Sequence, residues 1–162
     1  MKSNTVIFTE PYKAEIQEID CPKPGKSEVL IRTEQTLIST GTELTFLTGE
    51  CPEKSKWSEY IHYPQKSGYS NVGIIEEVGE GVSKDLIGKR VASFSGHSQY
   101  VIVNVNELRM INYEIKPEEA TFFALAETTI NGIRRTGIEL GNRVVVYGAG
   151  IVGQPVSYTH LR

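Results

Sequence analysis

A mainly β unit, then a helix, then the opening strand and turn of an α/β unit is the fold this sequence predicts, on three observations. Short apolar runs separated by turn residues fill the chain from Thr5 to Val105, the pattern of a barrel or sandwich. At Pro117 the pattern changes to one suited to a helix. Val144-Val-Val-Tyr147, which reads as a buried strand, then leads directly into Gly148-Ala-Gly150-Ile-Val-Gly153, a strand followed by a Gly-x-Gly-x-x-Gly turn.

Composition bounds the function classes. The length of 162 residues suggests one domain, or one domain plus a piece of another. A net charge of −3 without a basic stripe argues against a nucleic-acid partner. No apolar run reaches the length of a membrane span, and Met1–Glu10 lacks the apolar core of a signal peptide. The two cysteines, Cys21 and Cys51, are each followed by proline and form no Cys-x-x-Cys pair, so neither a disulfide framework nor a cysteine-rich zinc knuckle is indicated. A cytoplasmic protein is the default reading.

In chain order, Thr5–Phe8 is a short apolar run and Ala14–Ile19 alternates apolar and polar residues as a half-buried strand does. The 21–25 segment is dense in turn residues, and Glu28–Thr33 resumes strand character. Glycine and threonine crowd Ser39–Thr42 and Thr48–Glu50, which predicts a loop-rich region, and Glu50–Ser67 has no period and reads as an extended loop. Trp57 in that loop either lines a substrate pocket or anchors the loop. Val72, Ile74, Ile75 and Val78 predict a strand, with further strands at Arg90–Phe94 and Tyr100–Val105. Pro117 with Glu118 and Glu119 suits a helix start, because proline fixes φ and acids favour the positive end of the dipole. The helix runs through Ala120–Arg135 and stops at Gly137; Leu140–Arg143 then turns the chain into the Val144 strand.

The glycine turn carries a specific expectation. Gly148 permits the tight turn, Gly150 lets the backbone approach a pyrophosphate, and Gly153 lets the following helix pack on the strand. Amides of the helix's first turn, including those of Ile151 and Val152, would face the phosphates. A dinucleotide unit also needs a second strand and an acidic residue about 20 positions on. Arg162 comes before that point, so the chain is expected to be the front half of a larger protein, to bind cofactor poorly and to lack turnover alone. The same missing residue would choose between NAD and NADP. Pro155 falls where the helix should run and is expected to break it. Val156–Arg162 reads as a non-native tail.

The order of elements resembles the medium-chain dehydrogenase/reductase superfamily, in which a GroES-like barrel precedes a Rossmann domain. The carriers are Lys26-Ser-Glu-Val-Leu-Ile-Arg32, Val72-Gly-Ile-Ile-Glu-Glu-Val-Gly-Glu-Gly-Val82, Ile87-Gly-Lys-Arg-Val91 and Leu140–Gly153. The implied fold is a mainly β GroES-like barrel followed by a helix and the first β-strand and Gly-rich turn of a truncated Rossmann α/β domain. The implied boundaries are 1–116 for the substrate domain, 117–155 for the linking helix and start of the dinucleotide-binding domain, and 156–162 for the tail. The resemblance implies an NAD(P)-dependent oxidoreductase acting on a small-molecule substrate, whose parent forms a homodimer or higher homo-oligomer.

Zinc-dependent members carry a catalytic cysteine in a pattern like Cys-Gly-Thr-Asp and a histidine in Gly-His-Glu. Here Thr40-Gly-Thr-Glu43 and Gly68-Tyr69-Ser70 occupy those places, so Thr40 and Tyr69 replace the two ligands, and the third-ligand region offers only Glu127. The expectation is therefore a reductase that works without zinc. Ile38-Ser-Thr-Gly-Thr-Glu43, Gly96-His-Ser-Gln-Tyr100 and Thr129-Ile-Asn-Gly-Ile-Arg134 resemble a branch that includes bacteriochlorophyllide dehydrogenase-like proteins.

Without a metal, another group must polarise or protonate the substrate oxygen. The resemblance places Thr40, Glu43 and Tyr69 at the substrate cleft, with Tyr69 the best hydroxyl candidate. His97 is a further candidate proton donor, because histidine titrates near neutral pH. The competing readings are plainer: Ser39, Thr40 and Thr42 satisfy backbone groups in a turn, Glu43 pairs with an arginine, and His97 closes the Ser95–Ser98 turn. By the same resemblance Thr128, or Thr129 one residue on, contacts the nicotinamide side of the cofactor, and Gly148, Gly150, Ile151, Val152 and Gly153 hold its phosphates. Two other readings stay open: a non-catalytic GroES-like binding module, and a zinc-dependent alcohol dehydrogenase with non-standard ligands drawn from Glu43, Cys51, His62 and His97.

Overall fold

The computed structural model describes residues 1–139 and 141–160, and main chain only for 158–160; the turn expected at Leu140 and the last two residues of the 156–162 tail lie outside the described residues. The chain forms two compact units, Met1–Thr121 and Phe122–Arg162. The division falls after Thr121, five residues beyond the boundary expected at 116.

In the first unit, β1 (Lys2–Glu10) and β2 (Lys13–Asp20) form an antiparallel hairpin. Next come β3 (Glu28–Thr36), α1 (Thr40–Thr48), α2 (Trp57–Tyr60), β4 (Gln65–Lys66) and β5 (Asn71–Val78). The unit closes with β6 (Arg90–Ser93), β7 (Tyr100–Asn104), β8 (Arg109–Met110) and a single-turn helix α3 (Pro117–Ala120). Two antiparallel sheets result, with strand orders β2-β1-β4 and β7-β3-β5-β6-β8.

The core lies on one face of the larger sheet, and the two-residue period of a strand builds it. Val29 faces Val78 on one side and Val103 on the other, while Ile31 lies between Ile75 and Val101. Val29, Ile31, Ile75 and Val91 are fully buried, and Val82, Leu86 and Leu108 pack against them. Leu30, pointing the other way, is also buried, so β3 is covered on both faces. On the outer surface Arg32 pairs with Glu76 at 2.6 Å. Arg90 pairs with Glu34 at 2.7 Å and stacks 4.9 Å from the centre of the Tyr113 ring.

The 95–99 segment laces the two sheets together. The Val6 amide donates to the His97 carbonyl at 2.9 Å, the Gln99 amide to Asn4 at 2.8 Å, and the His97 amide to Ser67 at 2.8 Å. Thr5 and Ser98 form an isolated bridge. His97 is thereby fixed between β1 and β4, near the seam of the barrel.

Two stretches expected to be loops are partly helical. The region predicted to be loop-rich around Ser39–Thr42 is the start of α1. Glu43 reaches back to accept the Ser39 amide at 2.8 Å, satisfying a donor that a helix N-terminus leaves open. The helix ends at Gly49 in the left-handed conformation, φ 74°. Within Glu50–Ser67, α2 and β4 interrupt the expected loop. Trp57 meets Phe46 edge-on at 5.7 Å between centroids, so this ring anchors the segment to α1.

In the second unit, α4 (Phe123–Thr136) ends at Gly137, φ 66°, and α5 spans Gly153–His160. The helix expected from Pro117 onward is thus divided at Thr121–Phe122. The Thr121 side chain donates to the Glu118 carbonyl at 2.7 Å, and the Thr121 carbonyl accepts the Ser70 hydroxyl rather than an amide of the next turn. The strand expected at Val144–Tyr147 does not form among the described residues. Val145 and Tyr147 are exposed, because a strand needs a neighbour for its amides and carbonyls and this one has none. Pro155 does not break α5: it falls in the first turn, where an amide would have no partner in the helix in any case.

Substitution Ile75→Ala is expected to cost about 2–5 kcal/mol of unfolding free energy, from lost burial plus a cavity. Ile16→Ala, at a 75% exposed position, is expected to change it by less than about 0.5 kcal/mol. Denaturant midpoints at unchanged m-value measure both.

Candidate active site

Glu43 and His97 are 54 residues apart in sequence and meet in the barrel, His97 Nε2 lying 2.7 Å from Glu43 Oε2. Their side chains are only 6% and 10% exposed, Glu43 the more buried. The Ser67 hydroxyl donates to the same carboxylate oxygen at 2.7 Å, and the Ser39 amide to the other at 2.8 Å. Burial alone would push the Glu43 carboxyl up; hydrogen bonds from His97, the Ser39 amide and Ser67 outweigh it and hold the group below the ordinary carboxylate range. A carboxylate only accepts, so Nε2 of His97 carries the proton. No described residue hydrogen-bonds Nδ1, which remains open to act as base or, once protonated, as acid.

Gly68 lets the ring lie there. A Cβ at this residue would come within 2.8 Å of Cδ2 and Nε2 of His97, and its φ of +90° is one that side-chain-bearing residues rarely adopt. The Nε2 end of the ring therefore packs against bare backbone.

The pair lines a cavity of about 380 Å³ whose other walls include Val6, Phe8, Ile38, Leu44 and Leu47. A hydrogen-bonded acid–base pair at the edge of an apolar cavity can move a proton to or from a bound molecule.

The remaining candidates are distributed differently. Thr40 is exposed at the first position of α1, and Tyr69 is half-buried and does not line the cavity. The arginine partner considered for Glu43 is replaced by His97, so His97 does more than close a turn. Ser67 was not singled out by sequence; 24 residues from Glu43, it carries no local signal. His62 is exposed and holds the Tyr60 carbonyl through Nδ1 at 3.0 Å.

In the second unit the Gly148–Gly153 segment turns the chain into α5 without the expected strand before it. Gly148 has φ +102°, and a Cβ on Gly153 would lie 2.0 Å from the Gly148 carbonyl oxygen. Gly150 has nothing within 4 Å of a Cβ position, leaving its backbone open to approach. Ile151 and Val152 are partly exposed at the start of α5. These residues fit a dinucleotide phosphate. On α4, Thr128 is exposed and its hydroxyl donates to the Ala124 carbonyl at 3.0 Å. Thr129 is buried, and its hydroxyl has no partner among the described residues. Of the two threonines, Thr129 therefore has the hydroxyl left to satisfy.

The resemblance places Thr40 and Tyr69 where zinc-dependent members carry two of their ligands. Threonine and neutral tyrosine are poor ligands, and among the described residues no three His, Cys, Asp or Glu side chains group to hold a metal. Nor is any described helix long and apolar enough to cross a membrane.

No protein-family model matches the chain. An alcohol dehydrogenase of Geobacillus stearothermophilus is 28% identical over 178 aligned positions, covering 90% of this chain and 50% of that protein. An L-threonine 3-dehydrogenase of Thermococcus kodakarensis is 37% identical over 93 positions, 56% of this chain and 25% of that protein. A protein of Escherichia coli CFT073 described as a short chain alcohol dehydrogenase, solved with NADH, superposes with a TM-score of 0.80 at 20% identity, covering 96% of this chain and 52% of that one. The chain thus spans about half the length of these two alcohol dehydrogenases. In sequence and in fold, its relatives are alcohol dehydrogenases and other dehydrogenases and reductases of the medium-chain type.

Proposed function

We propose that the whole protein to which this chain belongs is an NAD(P)-dependent oxidoreductase of the zinc-independent kind. Its reaction would be hydride transfer between nicotinamide and a carbonyl, alcohol or activated alkene. The observation that carries this reading is the Glu43–His97 pair at the cavity wall, a built proton relay. Support for the cofactor comes from the glycine turn and from the NADH held by the Escherichia coli structure.

When bound, the nicotinamide supplies or accepts the hydride. The chain's own residues manage the proton. His97, protonated at Nδ1, donates to the substrate oxygen as negative charge builds there, and in the opposite direction takes that proton back. Glu43 holds the ring through Nε2 and stabilises the imidazolium, while Ser39 and Ser67 fix the carboxylate. Val6, Phe8, Leu44 and Leu47 give the reacting oxygen apolar surroundings on the cavity side. Gly148, Gly150 and Gly153, with the first-turn amides of α5, cradle the cofactor's phosphates, and Thr129 offers its unsatisfied hydroxyl to the cofactor. The zinc-free part of the reading is supported by the residue types at Thr40 and Tyr69. A homo-oligomeric, cytoplasmic enzyme and a bacteriochlorophyllide dehydrogenase-like branch are part of the same proposal.

The complete protein is expected to oxidise NADH or NADPH in the presence of a suitable aldehyde, ketone or enone, followed by nicotinamide absorbance. His97→Gln should lower kcat by roughly a hundredfold or more with little change in the KM for nicotinamide. No hydride transfer across a broad substrate panel would instead favour the binding-module reading. Metal analysis of the purified protein should find no stoichiometric zinc, and one zinc per chain would contradict the zinc-free mechanism. A third expectation concerns acid stability. Because the folded state holds Glu43 below its unfolded value, its stabilisation is complete at neutral pH and is lost as pH falls through the carboxylate range. Glu43→Gln should make the acid limb of a stability–pH curve shallower.

A further inference from the structure

The hairpin sheet ends in an open edge. Its strand order is β2-β1-β4, so β2 has a strand on one side only, and among the described residues no backbone hydrogen bond joins Lys13–Asp20 to anything but β1. The outer row of amides and carbonyls is left to water, which makes such an edge a template for another strand. Ile16 lies mid-strand and is 75% exposed. It shares a face with Ala14, because alternate residues of a strand do. Ala14 lines one hollow together with Ile38 and Leu44, which are 63% and 53% exposed. The open edge thus runs beside an apolar rim.

Charge usually blunts an edge strand, and β2 carries Lys13, Glu15, Glu18 and Asp20. Lys13 is engaged within the chain by Glu10 and Glu15, and Asp20 by Lys2. Two copies of β2 running antiparallel about a two-fold axis pair residues of the same face, so one residue stands at the centre of the register. With Ile16 at the centre, it faces its own counterpart, Glu15 faces Gln17, Ala14 faces Glu18, and Lys13 faces Ile19. No like charges stand opposite each other. Within one copy Gln17 already donates to Glu15 at 3.2 Å, and the same amide–carboxylate contact is open across the pair. Moving the centre to Glu15 sets two carboxylates face to face, and moving it to Gln17 sets Ile16 against Glu18. Of these three registers, the one centred on Ile16 alone covers the exposed isoleucine with an apolar partner.

We propose that two copies of this chain associate edge to edge through antiparallel β2 strands with Ile16 at the two-fold axis, joining two three-stranded hairpin sheets into one. The contact is one strand wide, so the dimer is weak and concentration-dependent. It gives the homo-oligomer proposed above an interface within this chain, and it rests on none of the cofactor or proton chemistry.

The test is sedimentation of the 162-residue chain over a range of concentrations. The unaltered chain is expected to approach twice the monomer mass as concentration rises. Ile16→Lys and Ile16→Glu, both at an exposed position outside the core, should each remain monomeric, because like charges then stand opposite. An equimolar mixture of the two should regain the doubled mass, because lysine then faces glutamate. That rescue requires a register centred on residue 16, whereas association through the exposed Val145 and Tyr147 would persist in each variant alone. An unaltered chain that stays monomeric, a dimer that survives either substitution, or a mixture that stays monomeric would overturn the proposal. A complete protein that is oligomeric beside a monomeric 162-residue chain would overturn it too, while leaving the wider homo-oligomer reading to stand on other residues.

Discussion

The Glu43 carboxylate is the point on which the site depends. It receives hydrogen bonds from three places far apart in sequence: the Ser39 amide at the head of α1, the Ser67 hydroxyl just after β4, and His97 in the segment that joins the sheets. A charge this buried is costly unless its lone pairs are filled. Here the filling also closes the helix N-terminus and orients an imidazole. One side chain therefore connects local helix capping, barrel closure and the chemistry of the cavity. The loss of any one donor would raise the cost of burying the charge and loosen the other contacts with it.

The barrel provides the rigidity that such a network needs. Val29 and Ile31, each flanked by apolar partners on two neighbouring strands, anchor the large sheet, and backbone hydrogen bonds at Val6, His97 and Gln99 carry its position across to the hairpin sheet. His97 is held from both directions, by its own main chain between β1 and Ser67 and by its ring against Gly68 and Glu43. Residues that must deliver a proton over a fraction of an ångström benefit from segments tied by hydrogen bonds to paired strands, as the one that carries His97 is, rather than from a free loop.

Much of this was legible in the sequence, for identifiable reasons. Strands β3, β5, β6 and β7 announced themselves through β-branched residues at the two-residue period, and Gly137 marked a helix end because the left-handed conformation there suits glycine. Glu43 and His97 could be named individually, yet their union could not, since 54 residues separate them and nothing local records the contact. Ser67 was invisible for the same reason. The α1 helix was missed because glycine and threonine in Ser39–Thr42 read as loop, when the stabilising contact is Glu43 reaching back to the Ser39 amide. The Val144–Tyr147 run shows the opposite failure. Its propensity for a strand is genuine, but propensity without a pairing neighbour leaves Val145 and Tyr147 in water. In the second unit Gly148 keeps the positive φ of a tight turn, because turn geometry is local where strand formation is not.

The most direct test of the account is the tautomer of His97, read from the nitrogen chemical shifts of its ring in the 162-residue chain above neutral pH. A proton on Nε2 with Nδ1 bare is the predicted result, since an ionised Glu43 can only accept. A proton on Nδ1, or a ring whose two nitrogens exchange freely, would contradict the claim that Glu43 holds His97 ready for proton transfer.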